Sequence, residues 1–294
     1  MKIVFIGCVE FSKAALLKLI DLNADIVGII TKEESNFNTD FYDISKITDS
    51  YGIPSKKVKD INHPNNISWI QRFSPDILFC FGWSSLLKED LLNIAPMGVL
   101  GYHPADLPNN KGRHPLIWAK VLGLEETAST FFFMDDTADG GDILSQVKFP
   151  IAFEDSAADL YQKMTETAIL QIETFLPMLV SKKYVRKAQD KSVGNEWRKR
   201  GKLDGFIDFR MTTRDICNLV RALSKPYVGA YCKSGDIEAK VWQVEAGNFN
   251  CKNIEPGKVL KVNGKQIEVK TADASIILVD HEIENLPAIN SYFK

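Results

Sequence analysis

The chain has 294 residues, of which 45% are hydrophobic and 25% are charged, and its formal net charge is −2. These values are typical of a water-soluble globular protein with one large domain, or with a main domain and a smaller one. A net charge so close to zero provides no general positive field of the kind that attracts nucleic acids or anionic membranes.

The five cysteines are scattered and form no Cys-x-x-Cys pair, so the sequence predicts neither a zinc site nor a disulfide framework. The first residues form a strand-like segment with no charged leader before it. No apolar run approaches the roughly 20 residues that a transmembrane helix needs. We therefore expect a cytoplasmic protein without membrane contact.

Short apolar runs alternate with helix-like segments in the first part of the chain. The runs KIVFIG (2–7), DIVGIIT (25–31) and DILFCFGW (76–83) are continuous, which is typical of strands buried on both faces of a parallel sheet. The segment between the first two runs has the spacing of a helix. Together they predict a βαβ unit with a right-handed crossover.

Further strands and one long helix extend this pattern. Strands are predicted in GVLGYH (98–103), STFFFM (129–134) and ILSQVKFPI (143–151), and a long helix is predicted from Asp155 or Ser156 to residue 180. We therefore predict that residues 1–180 form an α/β domain with a doubly wound, mostly parallel, Rossmann-like sheet.

The composition changes after this domain. Residues 181–205 carry nine Lys or Arg and few aliphatic side chains, which indicates an exposed linker. Residues 212–223 have the spacing of a short amphipathic helix. Residues 257–284 alternate between apolar and polar around an Asn-Gly dipeptide at 263–264, which is a hairpin signal. The sequence therefore predicts a small β-rich C-terminal domain over residues 206–294.

The turn after the first strand, GCVEF (7–11), lacks the Gly-x-Gly-x-x-Gly pattern with which a backbone approaches a dinucleotide pyrophosphate. We therefore do not expect an NAD site. In open α/β sheets, ligands bind beyond the carboxyl ends of the strands. Those ends lie after Phe79, after Leu100 and after Met134, which predicts a ligand site near these positions.

His103 stands where one of these strands ends, and Pro104 prevents further strand pairing there. A histidine at this point either exchanges protons with a bound reactant or only hydrogen-bonds to the turn. Asp139 lies in a second such segment, MDDTADGGDILSQ (134–146), before two glycines that let the backbone bend back. Its carboxylate could then point into the same cleft, whereas Asp136 suits a solvated turn.

The segment HPADLPNNKGRHPLIWA (103–119), followed by ADGGDILSQ (138–146), resembles the 10-formyltetrahydrofolate-dependent formyltransferase superfamily. Members include methionyl-tRNA formyltransferase and the sugar N-formyltransferases. Residues 204–210 and 218–231 are also similar to the part of methionyl-tRNA formyltransferase that joins the catalytic domain to a small β domain. The positions of the family motif are taken by His103, Leu107, Pro108, Gly112, Pro115, Asp139, Gly140 and Gly141.

This resemblance implies an N-formyltransferase that moves a formyl group from 10-formyltetrahydrofolate to a primary amine, with no metal. His103 would take a proton from the amine or, when protonated, stabilise the oxyanion, and Asp139 would orient the imidazole. The pterin would enter an apolar slot at the strand ends. The expected contacts of this slot are Phe81, Gly82, Trp83, Leu86, Met134, Asp135 and Asp139.

The chain departs from the family motif at one position. The family's Asn, two residues before the His, is Gly101 here, and the loss of one oxyanion donor typically lowers the rate by about 10²–10³. Three alternatives follow. Another amide replaces it, for which we favour Asn110 over Asn109; or backbone N–H groups near Gly101 or a water replace it; or the protein binds its ligands without catalysis.

The resemblance also bears on the acceptor. Methionyl-tRNA formyltransferase carries a basic loop after its second strand, but this chain reads TKEESNFNTDFYDISK (31–46), and its acidic residues within 33–43 oppose tRNA. The basic residues of 182–202 favour tRNA unless they form a solvated connector. The stretch NNKGRHPLIW (109–118) resembles the sugar-modifying members, which are often homodimers. We therefore expect a nucleotide-linked amino sugar as the substrate, contacted by Tyr102, Arg113 and His114.

Overall fold

The computed structural model describes residues 1–34, 39–235, 237–249 and 251–293. The chain divides into two compact units. Unit 1 comprises Met1–Pro115, Thr127–Phe149 and Gln162–Trp197, and unit 2 comprises Leu116–Glu126, Pro150–Tyr161 and Arg198–Lys294.

The two units are not the contiguous domains 1–180 and 206–294 that the sequence predicts. Two short stretches of the predicted N-terminal domain, Leu116–Glu126 and Pro150–Tyr161, belong to unit 2 because they pack with its C-terminal residues. Ile117, for example, is 6% exposed and is part of the hydrophobic core of unit 2. Most side chains of residues 181–205 are exposed, as a linker would have them, but the segment also forms hydrogen bonds within unit 1 up to Trp197.

The helices and strands follow one another along the chain. In order, they are β1 (Ile3–Ile6), α1 (Glu10–Asp21), β2 (Ile26–Lys32), α2 (Ser45–Tyr51), β3 (Ser55–Val58), α3 (Pro64–Gln71), β4 (Ile77–Cys80), α4 (Glu89–Leu92), β5 (Val99–His103), β6 (Lys111–Gly112), α5 (Pro115–Val121), β7 (Glu126–Phe133), β8 (Ile143–Pro150), α6 (Ala157–Val180), β9 (Glu196–Trp197), a 3-10 helix (Lys202–Gly205), α7 (Thr213–Leu223), β10 (Ala230–Ser234), β11 (Ile237–Gly247), β12 (Val259–Asn263), β13 (Gln266–Lys270) and β14 (Ser275–His281).

Unit 1 is built on a seven-stranded sheet with the strand order β3-β2-β1-β4-β5-β7-β8. The first five strands in this order are parallel, and β7 runs antiparallel to β5. All residues of β1 and β4 are buried, as the continuous apolar runs predict. The sheet confirms the predicted mostly parallel α/β fold, and its strand order changes direction between β1 and β4, where ligands of such sheets bind.

Aromatic side chains fill the core of unit 1. The Phe81 ring lies 5.7 Å from that of Phe5 and 5.1 Å from that of Phe131, both edge-on. Phe131 lies 4.8 Å from Phe175 on α6, also edge-on. Such edge-to-face contacts are the favoured arrangement for aromatic pairs. The cluster therefore connects the central strands to α6.

Unit 2 contains a five-stranded antiparallel sheet with the order β10-β11-β14-β13-β12, which confirms the predicted β-rich C-terminal part. The amphipathic helix α7 packs on this sheet. The predicted hairpin joins β12 to β13, but its two turn residues are Gly264 and Lys265, since Asn263 pairs with Gln266. Residues of α7 and of the sheet share one core, which includes Ile216, Leu219, Val220, Val241, Val269 and Ile276.

Two further properties concern the described residues as a whole. None of their helices combines the length and the apolar character that crossing a membrane requires. In the same residues, no three His, Cys, Asp or Glu side chains are grouped as a metal ion needs. The five cysteines are free thiols, and all of them except Cys251 are buried.

The packing of α6 can be tested with two residues that lie close together on this helix. Ile172 is fully buried, whereas Leu170 is 62% exposed. We expect Ile172→Ala to lower the free energy of unfolding by about 2–5 kcal/mol, because the lost side chain leaves a cavity. Leu170→Ala is the control and should change it by less than about 0.5 kcal/mol. Urea unfolding followed by circular dichroism measures both, and equal effects would contradict this burial.

Candidate active site

The imidazole of His103 lies at the carboxyl end of β5 and is only 5% exposed. Its Nε2 atom is 2.9 Å from the carbonyl oxygen of Asn110. Because a carbonyl oxygen only accepts hydrogen bonds, this contact assigns the ring hydrogen to Nε2. The other ring nitrogen, Nδ1, is 3.6 Å from Oδ2 of Asp139. The ring is thus held between a backbone carbonyl and a carboxylate.

Asp139 reaches His103 because the backbone turns sharply after β7. Its φ is +52°, a left-handed conformation that a non-glycine residue adopts only when its surroundings hold it there. The second glycine that follows is required by space, because a Cβ on Gly141 would lie 1.8 Å from the carbonyl oxygen of Phe133. Oδ2 of Asp139 also accepts a hydrogen bond from the backbone N–H of Gly112, at 3.0 Å. The structure therefore brings together the two groups that the sequence selects.

The space beside Gly101 is filled by another side chain. A Cβ on Gly101 would lie 2.8 Å from Cγ and 3.1 Å from Sδ of Met134, and 3.2 Å from a ring carbon of Phe132. Gly101 and Phe132 are paired across β5 and β7. Met134 therefore occupies the volume into which a longer side chain at position 101 would project.

Asn110, the favoured substitute for the family's Asn, is placed next to His103 through its backbone. It is the carbonyl of Asn110, and not the side-chain amide, that contacts the imidazole. Like Asp139, Asn110 has a left-handed backbone, with φ of +62°. Its N–H donates to Oδ1 of Asn195, at 2.9 Å. The loop thus presents an acceptor to the ring, whereas the hypothesis requires a donor.

The predicted pterin slot begins directly after β4. Phe81 is fully buried and belongs to the aromatic core, so its ring fills the core and not an open slot. Gly82 and Trp83 are half-buried. The indole Nε1 of Trp83 is buried and has no hydrogen-bond partner among the described residues. A buried donor of this kind is rare in folded proteins and suits an acceptor on a ligand.

The remaining residues of the predicted slot differ in environment. Leu86 is 72% exposed. Met134 is half-buried and packs on the apolar cluster of Leu107, Phe132 and Ile143. Asp135 accepts hydrogen bonds from the N–H and the hydroxyl of Thr137, so its carboxylate stabilises the turn that leads to Asp139.

Two cations meet near the same strand ends. Nζ of Lys32, the last residue of β2, donates to the hydroxyl of Ser84 at 3.0 Å and lies 5.0 Å from the centre of the Trp83 ring. Nη1 of Arg113 donates to the carbonyl of Ser84 at 3.3 Å. Sequence reasoning selected Arg113 but missed Lys32. The signal that could have found Lys32 is a basic residue at the carboxyl end of a buried strand.

The other two predicted substrate contacts take different positions. The Tyr102 ring packs 4.3 Å from that of Phe11, and its hydroxyl is 3.0 Å from that of Ser129. Burial raises the pKa of the Tyr102 phenol above its usual range, so the hydroxyl stays protonated and acts as a hydrogen-bonding group. His114 is half-buried and has a left-handed backbone, with φ of +57°.

Part of the predicted acidic loop, residues 35–38, lies outside the described residues. Within the described part, Glu33 lies 3.6 Å from Lys59. In the basic segment, Arg198 donates to both carboxylate oxygens of Asp204 and holds the pKa of that carboxyl at about 2. The guanidinium of Arg200 lies 4.5 Å from the centre of the Trp118 ring. Two cations of the basic segment are thus engaged within unit 2.

Solved structures with the same fold include two sugar N-formyltransferases. WlaRD, a sugar 3N-formyl transferase solved in the presence of dTDP and 5-N-formyl-THF, has a TM-score of 0.71 and 18% identity over 97% of this chain and 99% of that chain. The N-formyltransferase from Helicobacter canadensis, in complex with folinic acid and dTDP-3-aminofucose, has a TM-score of 0.69 and 16% identity over 95% of this chain and 98% of that chain.

A third similar structure is HypX from Aquifex aeolicus in complex with tetrahydrofolic acid. Its TM-score is 0.69 at 16% identity, over 97% of this chain but only 44% of that chain. At identities this low, the likeness to all three structures establishes the fold of the chain.

Two family profiles identify the chain from its sequence. The profile described as formyl transferase matches residues 1–172, and the profile described as formyl transferase, C-terminal domain, matches residues 200–291. The first match alone spans more than half of the chain and contains both His103 and Asp139. The resemblance is confirmed, and the chain belongs to the formyl transferase family.

Proposed function

We propose that this protein transfers a formyl group from 10-formyltetrahydrofolate to the primary amine of a nucleotide-linked amino sugar. The observation that carries the proposal is the His103 imidazole, held between the Asn110 carbonyl and the Asp139 carboxylate at the carboxyl edge of the sheet. Two proteins of the same fold were solved with a formylated folate, one in the presence of dTDP and the other in complex with dTDP-3-aminofucose.

The amine nitrogen would attack the formyl carbon of the bound folate and the bond from that carbon to folate N10 would break, so that tetrahydrofolate leaves with N10 protonated by the proton that the amine gives up. With its hydrogen on Nε2, neutral His103 carries a lone pair on Nδ1, which receives the proton that the attacking amine must lose. The imidazolium then faces the carboxylate of Asp139, 3.6 Å away, which stabilises its charge. Because His103 is almost fully buried, this proton is held in a site with little access to water.

The Gly101 position bears on how the formyl oxygen is stabilised. Met134 fills the space of the family's Asn side chain, and Asn110 turns its carbonyl towards His103. In this proposal, the positive charge of protonated His103 takes over the stabilisation of the developing oxyanion. Binding without catalysis is the second alternative, and the turnover measurements below decide between the two.

The residues after β4 fit a folate ring. The buried Nε1 of Trp83 lacks a hydrogen-bond partner among the described residues. The side chain as a whole is half-buried, and its indole ring is flat. A pterin offers both ring acceptors for such a donor and a π-face for stacking. Trp83, together with the backbone of Gly82 and the side chain of Met134, is therefore assigned to the donor slot.

Lys32 and Arg113 support a phosphate-bearing acceptor. They come from two different strand ends and both donate to Ser84, which brings two positive charges into one place. A pyrophosphate attracts such a pair, and the planar guanidinium of Arg113 suits its oxygens. We assign these two residues to the pyrophosphate of the sugar nucleotide. His114 and Tyr102 are assigned as further contacts of the same substrate.

Methionyl-tRNA is the alternative acceptor, and the exposed basic side chains of residues 182–202 favour it. Two observations oppose it. Arg198 is paired with Asp204, and Arg200 is stacked on Trp118, so neither side chain is directed at an external phosphate. The most direct discrimination is an assay of tetrahydrofolate release with a panel of nucleotide-linked amino sugars, run beside charged initiator tRNA.

Binding of the donor should depend on the indole of Trp83. We expect the protein to bind 5-formyltetrahydrofolate, a stable donor analogue, and not NAD, as measured by isothermal titration calorimetry. Trp83→Phe removes one N–H donor and should weaken this binding by about 2–10-fold, the value of one net hydrogen bond. Trp69→Phe serves as the control because Trp69 packs on Phe73. Tight NAD binding without folate binding would return the chain to a dehydrogenase-like function.

Turnover should depend on the two central groups. We expect His103→Ala and Asp139→Asn each to lower kcat by at least about 10², because each removes a group that acts on the transferred proton. The controls are His281→Ala and Asp136→Asn, which change the same residue types away from the imidazole. Near-normal turnover in either test variant removes that residue from the mechanism. Folate binding without turnover by the wild type, with every amine, establishes the non-catalytic alternative.

The acceptor should be held by Arg113. We expect Arg113→Ala to raise KM for the sugar nucleotide with a smaller change in kcat, because it removes binding shared by the ground and transition states. Arg72→Ala, at an exposed position, is the control. A rise in KM for the folate instead would assign Arg113 to the donor.

The same assay at different salt concentrations separates the two acceptors. A substrate held by several phosphate contacts loses about 10³–10⁵ in affinity between 50 and 200 mM salt, whereas one pyrophosphate in a pocket loses far less. We therefore expect a shallow salt dependence, and only a small effect of Glu33→Lys with Glu34→Lys on the sugar reaction. A steep dependence together with efficient formylation of methionyl-tRNA excludes the sugar assignment.

A further inference from the structure

One stretch of the chain forms hydrogen bonds to both loops beside His103, the one that carries Asp139 and the one that carries Asn110. We call residues 187–197 the bracing segment. At its start, Lys187 exchanges two backbone hydrogen bonds with Ile143, at 2.8 and 2.9 Å. At its end, Glu196–Trp197 pairs in parallel with Lys111–Gly112. The segment therefore runs from the Asp139 loop to the Asn110 loop, all within unit 1.

Gln189 fastens the Asp139 loop. Its side chain is 8% exposed, and its amide Nε2 donates to the carbonyl of Asp139 at 2.9 Å and to that of Gly141 at 2.7 Å. Since an amide NH₂ group has two hydrogens, this one group holds the carbonyls on both sides of Gly140. The backbone that carries the Asp139 carboxylate is thus fixed by a buried side chain.

Asn195 fastens the Asn110 loop. Its Oδ1 accepts from the N–H of Asn110 at 2.9 Å, and its backbone carbonyl accepts from the N–H of Lys111 at 3.0 Å. Trp197 adds a third bond, from the N–H of Arg113 to its carbonyl, at 2.9 Å. Asn195 is exposed, so water competes for its hydrogen bond and its contribution is smaller than that of Gln189.

The two partners of the imidazole share an unusual property. Asp139 and Asn110 are both non-glycine residues with a left-handed backbone, at φ of +52° and +62°. Asp and Asn tolerate this conformation better than most residues, but it still costs free energy, which hydrogen bonds from neighbouring groups can offset. The bracing segment supplies one amide side chain to each: Gln189 to Asp139 and Asn195 to Asn110.

We propose that Gln189 and Asn195 are positioning residues that fix the His103 imidazole by holding its two partners in place. The imidazole contacts Asn110 and Asp139, and Gln189 and Asn195 act on it through these two residues. The kinetic part of this inference rests on the proposed formyl transfer. The orientation of the ring does not, and it can be measured without any substrate.

The test uses variants that separate hydrogen bonding from side-chain volume. Gln189→Leu and Gln189→Glu both remove the two N–H donors, and Gln189→Glu nearly keeps the shape. Asn195→Leu removes the acceptor, whereas Asn195→Asp keeps an acceptor oxygen. Gln71→Leu and Asn253→Leu, at exposed positions, are the matched controls.

The first readout is the ¹⁵N chemical shifts of the His103 ring in the full chain, which are simple to assign because the chain has four histidines. We expect both Gln189 variants to change the Nδ1 signal. Asn195→Leu should change the Nε2 signal, and Asn195→Asp should leave it close to that of the wild type. Ring signals that stay unchanged in folded Gln189→Glu and Asn195→Leu variants would overturn the proposal.

The second readout is steady-state kinetics. Displacement of a catalytic group by about 1 Å lowers turnover by up to about 10²-fold, so we expect both Gln189 variants to lower kcat at least about tenfold and Asn195→Leu several-fold, with KM for the folate within about twofold. Loss of stability with unchanged kcat in the folded fraction assigns the segment a structural role only and contradicts the proposal. If the variants shift the ring signals but the wild type shows no turnover with any amine, the proposed function is rejected and the positioning role stands.

Discussion

The site depends on one constraint, which is that the Nε2–H group of a buried imidazole needs an acceptor and that Nδ1 needs a negative charge nearby once it takes up a proton. Nε2 of His103 has the Asn110 carbonyl, and Nδ1 has the Asp139 carboxylate. Neither partner arrives through regular secondary structure, since both residues sit in left-handed turns after a strand or within a loop. His103 lies at the carboxyl end of β5, whereas the Asp139 turn follows β7, which runs antiparallel to β5. Residues 187–197 form hydrogen bonds to both turns, and in the proposal above the amides of Gln189 and Asn195 fix the geometry of the site.

Much of the fold was predictable because buried parallel strands have a distinct sequence pattern. The continuous apolar runs predicted β1, β2 and β4, and the motif around His103 and Asp139 predicted the edge at which they meet. The segments 116–126 and 150–161 could not be assigned from the sequence. Their apolar residues, such as Ile117, show no local sign that their packing partners lie in the C-terminal half.

The charged residues of the candidate site could be selected from the sequence, whereas the residues that support them could not. His103, Asp139 and Arg113 stand in a motif or at strand ends, where their charges are conspicuous. Gln189 and Asn195 lie in a segment whose composition indicates a linker, and their hydrogen bonds go to backbone atoms that no side-chain pattern reveals. Phe81 differs from these residues: it adjoins the predicted slot in sequence, but its ring is part of the aromatic core.

The Met134 side chain occupies the space beside Gly101, and this limits which substitutions the site can accept. Gly101 lies in the middle of β5 and Met134 directly follows the neighbouring strand β7, and the two share one space, so enlarging the first requires shrinking the second. In a Gly101→Asn variant, the new side chain would meet the Met134 thioether before it met a substrate. Position 101 can therefore accept the family's Asn without crowding only when position 134 carries a smaller side chain.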